Sequence, residues 1–534
     1  MEPPTTRGLW PVLVLITLVI GLLLSGLNLF WGELNQDEGW YLYAARLVAE
    51  GQQPYRDFAF TQGPVFPAIY AWAHGWVERW GVMGGRLFTA GLGWIASLLA
   101  AAFAWRLTRG KWGPWAALLT FMLLQLNVYH SYFTLVVKTY ALTAILIAAA
   151  ALSLTFLSAA HRRWPAALAG LGFALAAGVR LSAGVWLPLV GLYFLARRKD
   201  FPGAWWCFGL GGLLGLLIAF ASTFRAAPEE AWFWLVQYHA LREAGSLTHT
   251  LIYSAGFISR FVQAYFVLLM LILAWLAGMR WAGQRWSAIH PFLGVFVLGV
   301  GGVTVVHLLA PFPYEDYQVI IMPVVAALAA TGWVRWLEKL VVAARQSVWI
   351  PGTTILIGLL CIGSAFSSPR NQDWFISSRD RIWWPLKETA DLRQLQAVGD
   401  WLRETVPADA YLLTMDTYIA VESGLRVLPG LEMGPFSYYP DWSDAKAEQR
   451  QVLNLNRSLE RVESGAAAAA LLSGYAWAIA SPQIEPVDEA DRVRVWEAVA
   501  ARYDRVKTVP NFGQAYTPLQ IWLRVDEEAT GTDD

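Results

Sequence analysis

Apolar runs long enough to cross the roughly 30 Å hydrocarbon core of a bilayer recur along the chain and predict about eleven helices. Their starts fall near Leu9, Gly84, Gly113, Leu135, Ala166, Gly184, Gly203, Ser254, Pro291, Gln318 and Val348. The fifth and sixth are short and joined through Gly178 to Gly184. Between the runs lie two kinds of polar segment. The short ones are basic: Arg106, Arg109 and Lys111; Arg162 and Arg163; Arg197, Arg198 and Lys199; Arg280 and Arg285; Arg335, Lys339 and Arg345. With a cytoplasmic N-terminus all of them fall on the inner side, and a miscount of one span would scramble that positive-inside pattern. The long ones then face outward: residues 31–83, residues 223–253 and the tail after about residue 367. Leu9 to Phe30 is too long for a signal peptide and leads on without a small-residue cleavage site, so it reads as a span.

The tail has a different periodicity. Leu392, Leu395, Val398 and Leu402 recur at helical spacing, Tyr411 to Met415 is a short apolar run, and Tyr475 to Ala480 follows later in this alternation of helix-period and strand-like stretches. Asp488 to Tyr503 is helix-like and Thr517 to Val525 strand-like. A small α/β domain over residues 391–534 follows, tied by a Ser-, Arg- and Trp-rich connector at 367–390 to a membrane domain over residues 1–366. The alanine run Ala466 to Ala470 reads as helix, because alanine is the strongest helix former. With no phosphate loop, GxGxxG or metal-ligand cluster, the tail is expected to serve recognition or packing.

Composition agrees with a polytopic membrane protein: 56% of the 534 residues are hydrophobic and only 15% charged. Thirty Trp and twenty Tyr suit many membrane interfaces. Forty basic residues balance forty acidic ones, which removes the global field a nucleic-acid partner would need. The two cysteines, Cys207 and Cys361, fall inside apolar runs, which excludes a disulfide framework outside the membrane.

Asp37-Glu38 follows the first span directly. Acids are costly in lipid, so such a pair sits at the interface or lines a polar cavity, where it does chemistry or grips a substrate. Asp37 is equally readable as the N-cap of the next helix, whose apolar face is Trp40, Tyr43, Ala44, Leu47 and Val48. The same loop holds further candidate substrate contacts in Tyr55, Arg56, Asp57 and Gln62, and turn signals at Gly51 to Pro54 and Gly63-Pro64 fold it back twice. Pro64 to Val82, interrupted by His74 and Glu78, suits a helix lying in the interface. The loop with Arg225, Glu229, Glu230, Tyr238, His239, Arg242 and Glu243 reads as an amphipathic interfacial helix or a cap over an acceptor entrance. Two isolated cations, Lys138 and Arg180, stand in apolar surroundings near outer span ends, where such residues either snorkel or make functional contacts. His307, Tyr314 and Tyr317 precede the apolar stretch Val319 to Ala330, which contains Pro323. The tyrosines can stack on sugar or prenyl surface, or serve as belt aromatics, and the histidine can merely bond a neighbouring carbonyl.

One span, then Asp37-Glu38-Gly39-x-Tyr41 with Ala44 and Ala45, a Gly51-x-x-Pro54-Tyr55-x-Asp57-Phe58 turn and Gln62-Gly63-Pro64 before the next helix: this order resembles the GT-C glycosyltransferases. Nearest are the group of protein O-mannosyltransferases, lipid A aminoarabinose transferase and rhizobial lipopolysaccharide core transferases. The resemblance implies a multi-pass enzyme of the plasma (inner) membrane with an extracytoplasmic C-terminal domain. It would move a hexose or pentose from a polyprenyl-phosphate donor to a hydroxyl of a lipid, glycan or protein, with inversion. It further implies Asp37 as general base and Glu38 as orienter or acceptor contact, with Lys138 and Arg180 suited to the departing lipid phosphate. His307, Tyr314 and Tyr317 would belong to the donor pocket. Relatives with a Lys-Pro-Pro stretch would have it at Gln62-Gly63-Pro64, and several carry Asp where Lys138 falls, so those two family contacts do not transfer. No cofactor is expected; a divalent metal would need Glu315 and Asp316 to face Asp37. The rival class is a polytopic transporter or flippase of a lipid-linked or small polar substrate, but no internal repeat of interrupted helices is seen.

Overall fold

The computed structural model describes residues 5–157, 163–242, 246–281, 293–344, 348–364 and 387–525. Most of the 367–390 connector, Arg162, Glu243, Arg285, Arg345 and the Pro291 start of the ninth run lie outside them. The chain divides into two units: Met1–Phe30, Leu87–Ala221 and Ala244–Leu386 form one, and Trp31–Arg86, Ser222–Glu243 and Lys387–Asp534 the other.

Among the described residues, the regular elements of the first unit are all helices. By length and apolar composition Leu9–Trp31, Val65–Thr108, Ala204–Ala226 and Glu315–Leu340 can each cross a bilayer, the second of them beginning in the other unit. Thr139–Leu154, Trp164–Val179, Leu181–Ala196, Leu293–Leu308 and Trp349–Ser364 are shorter apolar helices. The run expected as one span from Ser254 is divided between two helices, Leu247–Ala264 and Phe266–Trp281, bent by 87°, which together are long and apolar enough for one broken span. Ser246 starts the first by accepting from the His249 backbone N–H. The run expected from Leu135 becomes helical only at Thr139, after Lys138 in extended conformation. Pro323 lies within the span Glu315–Leu340, at the second position of the helix Met322–Ala344 and just after the 3-10 turns of Glu315–Ile321. Large side chains such as Leu15, Leu22, Leu213 and Leu359 remain exposed, as helices facing lipid require.

The second unit carries the sheet. Its strands are β1 (Tyr411–Leu413), β2 (Arg426–Val427), β3 (Ala467–Leu472), β4 (Ile479–Ala480), β5 (Glu485–Pro486), β6 (Tyr503–Phe512) and β7 (Thr517–Arg524). Five of them form one sheet in the order β2-β1-β3-β7-β6, and β4 pairs with β5 alone. β1 runs parallel to β2 and β3, while β7 is antiparallel to β3 and β6. Asp391–Thr405 and Glu489–Arg502 are helices, as their spacing predicts, the latter capped by Asp488. The alanine run is a correction: it forms β3, not a helix. Packed between β1 and β7 and buried along nearly its whole length, this central strand selects small side chains, and tertiary pairing overrides alanine's helix propensity. Of Tyr475 to Ala480, only Ile479–Ala480 is strand.

The 223–253 loop also differs from an interfacial helix. Trp234, Leu235 and Tyr238 are buried, Phe233 packs edge-on to Trp442, Trp234 to Tyr439, and His239 Nε2 lies 3.0 Å from the Thr61 carbonyl. Residues 223–242 are a packed part of the second unit, whereas 246–253 belong to the first.

Candidate functional site

The acid-bearing helix, Gln36–Ala49, begins with a capping box. Asn35 Oδ1 accepts from the Asp37 N–H at 3.1 Å, and Glu38 Oε1 accepts from the Asn35 N–H at 3.0 Å. Asp37 is therefore not the cap, which corrects one of its two readings: Asn35 takes that duty and releases the Asp37 side chain from it. The Asp37 carboxylate is half-buried and accepts from the Trp40 indole N–H at 3.1 Å.

Its neighbour has a different fate. The Glu38 side chain is 0% exposed and the Arg86 side chain 1%. Arg86 Nε donates to Glu38 Oε2 at 2.8 Å, and Arg86 Nη2 to Glu38 Oε1 at 2.6 Å and to the Glu33 carbonyl at 2.6 Å. This two-pronged pair ties the helix start to Glu33 and to the residues after Gly81. Gly81, with φ 57°, breaks the helix there, and Glu422 Oε2 accepts the Val82 N–H at 2.9 Å at the new start.

The tail grips the same helix from its other side. Asp391 Oδ2 accepts the Leu34 N–H at 3.2 Å and Gln514 Oε1 accepts the Gln36 N–H at 3.0 Å. Gln36 Nε2 donates to the Met415 carbonyl at 3.2 Å, and Arg46 Nη1 to the Leu425 carbonyl at 2.8 Å. Beneath Gln36 the fully buried Asp416 accepts from the Tyr418 hydroxyl at 2.8 Å, and burial pushes its carboxyl above the usual carboxylate range. Gly39 lies so close to Thr417 and Tyr418 that a Cβ would collide with their backbone. Gly39→Ala should gain about 1 kcal/mol of helix propensity and lose about 1–3 kcal/mol to overpacking. A net fall in the thermal unfolding midpoint in detergent checks this, and an unchanged or raised midpoint would contradict it.

Elsewhere in the loop, Tyr55 is interior and left-handed (φ 69°), and its hydroxyl donates to the Gln62 carbonyl, closing the turn. Arg56 and Asp57 are exposed and paired at 2.7 Å, and the Arg56 hydrogen bond holds the Asp57 carboxyl below its ordinary range.

The helical unit gathers the remaining candidates. Lys138, 3% exposed, reaches Asp316 Oδ2 at 3.1 Å, and the Tyr140 hydroxyl donates to the same oxygen at 2.9 Å. Arg180 Nη1 donates to Thr139 Oγ1 at 3.2 Å, and the guanidinium lies over Tyr317 and Tyr140, 4.4 and 5.2 Å from their ring centroids. Tyr314 meets Tyr317 edge-on, as does His307. Arg260 Nε donates to Glu315 Oε2 at 2.8 Å. Glu315 and Asp316, weighed as metal ligands with Asp37, thus bind Arg260 and Lys138. No group of three or more His, Cys, Asp or Glu among the described residues could hold a metal ion. Three cations and two carboxylates leave these named groups with one formal positive charge in excess, suited to an anion.

Sequence reasoning missed Arg86 and Arg260. The argument that singled out Lys138 and Arg180, an isolated cation at the end of an apolar run, applies equally to Arg86.

No family model and no curated protein matches the chain. Solved structures do. ArnT from Cupriavidus metallidurans in the apo state aligns with TM-score 0.59 at 14% identity, covering 97% of this chain and 99% of that one. The same protein bound to undecaprenyl phosphate aligns with TM-score 0.56 at 13% identity, covering 98% and 99%. A multi-helix chain with an appended α/β sheet, similar along its whole length to ArnT, has the fold of the GT-C glycosyltransferases.

Proposed function

We propose that this chain is an integral membrane glycosyltransferase of the extracytoplasmic face, passing a hexose or pentose from a polyprenyl-phosphate donor to a hydroxyl of a lipid, glycan or protein. The observation that carries the reading is the cluster of Lys138, Arg180 and Arg260 with Glu315 and Asp316 among apolar helices. So costly an arrangement in a bilayer protein suits an anion, and a lipid-linked phosphate is the anion that partitions there. The similarly folded ArnT binds undecaprenyl phosphate, which supports that choice.

In this reading Asp37 takes the proton of the acceptor hydroxyl as its oxygen attacks the anomeric carbon. The bond from that carbon to the phosphate oxygen breaks, and the polyprenyl phosphate leaves with the electron pair, its charge met by Lys138 and Arg180. Configuration inverts. Glu38 acts as orienter through Arg86, and Tyr314 and Tyr317 face the sugar or prenyl chain. Tyr55 supports the loop from inside, leaving Arg56, Asp57 and Gln62 as acceptor contacts. The membrane domain spans residues 1–366 in the plasma membrane, with the N-terminus cytoplasmic and residues 391–534 outside. No cofactor is required.

Protein in liposomes, offered a panel of polyprenyl-phosphate sugars, should release polyprenyl phosphate in step with sugar transfer. Ion-gradient-dependent uptake with the donor left intact would favour a transporter instead.

A further inference from the structure

Four polar side chains form a row in the helical unit. Thr304 Oγ1 lies 3.0 Å from Gln318 Oε1 and 2.9 Å from the Val300 carbonyl, Gln318 Nε2 3.1 Å from His307 Nδ1, and His307 Nε2 2.8 Å from Ser182 Oγ. Direction follows from what each atom can do. An amide oxygen only accepts and an amide nitrogen only donates, so the Thr304 hydroxyl is shared between Gln318 Oε1 and the Val300 carbonyl, and Gln318 Nε2 donates into His307 Nδ1. That nitrogen must then hold a lone pair. A doubly protonated ring would set two donors against each other there, so the imidazole is neutral with its hydrogen on Nε2.

The Nε2–H accordingly donates to Ser182 Oγ, and the serine hydrogen must be given elsewhere. Among the described residues, the His307 ring is the side-chain partner recorded for Ser182. His307 and Gln318 are buried, whereas Ser182 and Thr304 at the two ends of the row are half-exposed; of these two hydroxyls, that of Ser182 lies on the Arg180 side. Arg180 is two residues away, and its guanidinium covers Tyr317, whose ring lies 5.5 Å from that of His307. A half-exposed hydroxyl is therefore linked through His307 and Tyr317 to the cation already proposed to hold phosphate.

We infer that Ser182 is a third donor to a phosphate oxygen at the Arg180 and Lys138 cluster, with His307 as a positioning residue that aims its proton. This rests on the phosphate reading above. The ligand chemistry is a tetrahedral phosphate oxyanion, supplied by a lipid headgroup or by free phosphate. A hydrogen bond to a charged group contributes enough for its loss to weaken binding roughly tenfold to a hundredfold.

Binding of undecaprenyl phosphate, undecaprenol and inorganic phosphate to the full chain in nanodiscs provides the test. Ser182→Ala should weaken undecaprenyl phosphate at least about tenfold, leave undecaprenol unchanged, and be rescued by Ser182→Thr. His307→Leu should weaken it as well, yet add little to Ser182→Ala in the double variant, because the ring acts through the serine. In ¹⁵N-histidine spectra, His307 should show its unprotonated nitrogen at Nδ1. Unchanged affinity in Ser182→Ala, equal loss for undecaprenol, or an unprotonated Nε2 would overturn the inference. If wild type binds inorganic phosphate but not the lipid, and Ser182→Ala abolishes that binding, the donor role of Ser182 stands and the lipid-donor reading fails. If it binds none of the probes, both fall.

Discussion

Asp37→Asn should slow sugar transfer by about 10²–10⁴, the usual contribution of a positioned general base, while undecaprenyl phosphate binds as before. The substitution leaves the helix cap and the buried ion pair in place. The helix cap is Asn35 and the ion pair belongs to Glu38, so neither depends on the charge of Asp37. An asparagine oxygen can still accept from the Trp40 indole, now 3.1 Å from Asp37 Oδ1. The proton-accepting ability is lost. Single-turnover transfer from a polyprenyl-phosphate sugar, with donor binding measured in parallel, separates the two effects. Transfer at the wild-type rate would remove Asp37 from the chemistry, and a matching loss of donor binding would make it a binding group instead.

How much of this was readable beforehand depends on where each residue's partners lie in sequence. The helix Asp391–Thr405 was legible because Leu392, Leu395, Val398 and Leu402 repeat with its period and are all buried. β3 was not, because alanine carries no strand signal and its environment is supplied by β1, more than fifty residues earlier, and by β7, about fifty later. The Asn35-x-x-Glu38 capping box is a local signature and stood in plain view, although Asp37 competes for the same duty on composition alone. Lys138 and Arg180 stood out as lone cations in apolar sequence, but the Asp316 that answers Lys138 is 178 residues away. The grip of the tail on the acid-bearing helix was least visible, because much of it runs through backbone groups of Met415, Leu425, Leu34 and Gln36 that any residue would offer. The expected recognition or packing role of the tail thereby becomes specific: within its unit, it holds the segment that presents Asp37.

Arg86→Met should destabilise the fold more than any other single change considered, by about 3–5 kcal/mol, because it strands the Glu38 carboxylate at 0% exposure without its cation. Glu38 cannot escape to water without breaking the capping box, since Oε1 also accepts the Asn35 N–H. The expected result is a large fall in the melting midpoint in detergent and loss of monodisperse protein. Adding Glu38→Gln removes the buried charge while its amide oxygen can still accept from Asn35, so the double variant should recover most of the lost stability. A single variant that melts with wild type would show that Glu38 is solvated or neutral. Transfer kinetics of the recovered double variant carry the argument to function. Arg86 also donates to the Glu33 carbonyl, and so fixes the turn that delivers Asp37. With that anchor gone from a folded protein, the base should be present but imprecisely placed. Turnover should therefore stay depressed at unchanged donor affinity, as expected when catalysis depends on fixed geometry. Full turnover in the double variant would instead confine Glu38 and Arg86 to stability.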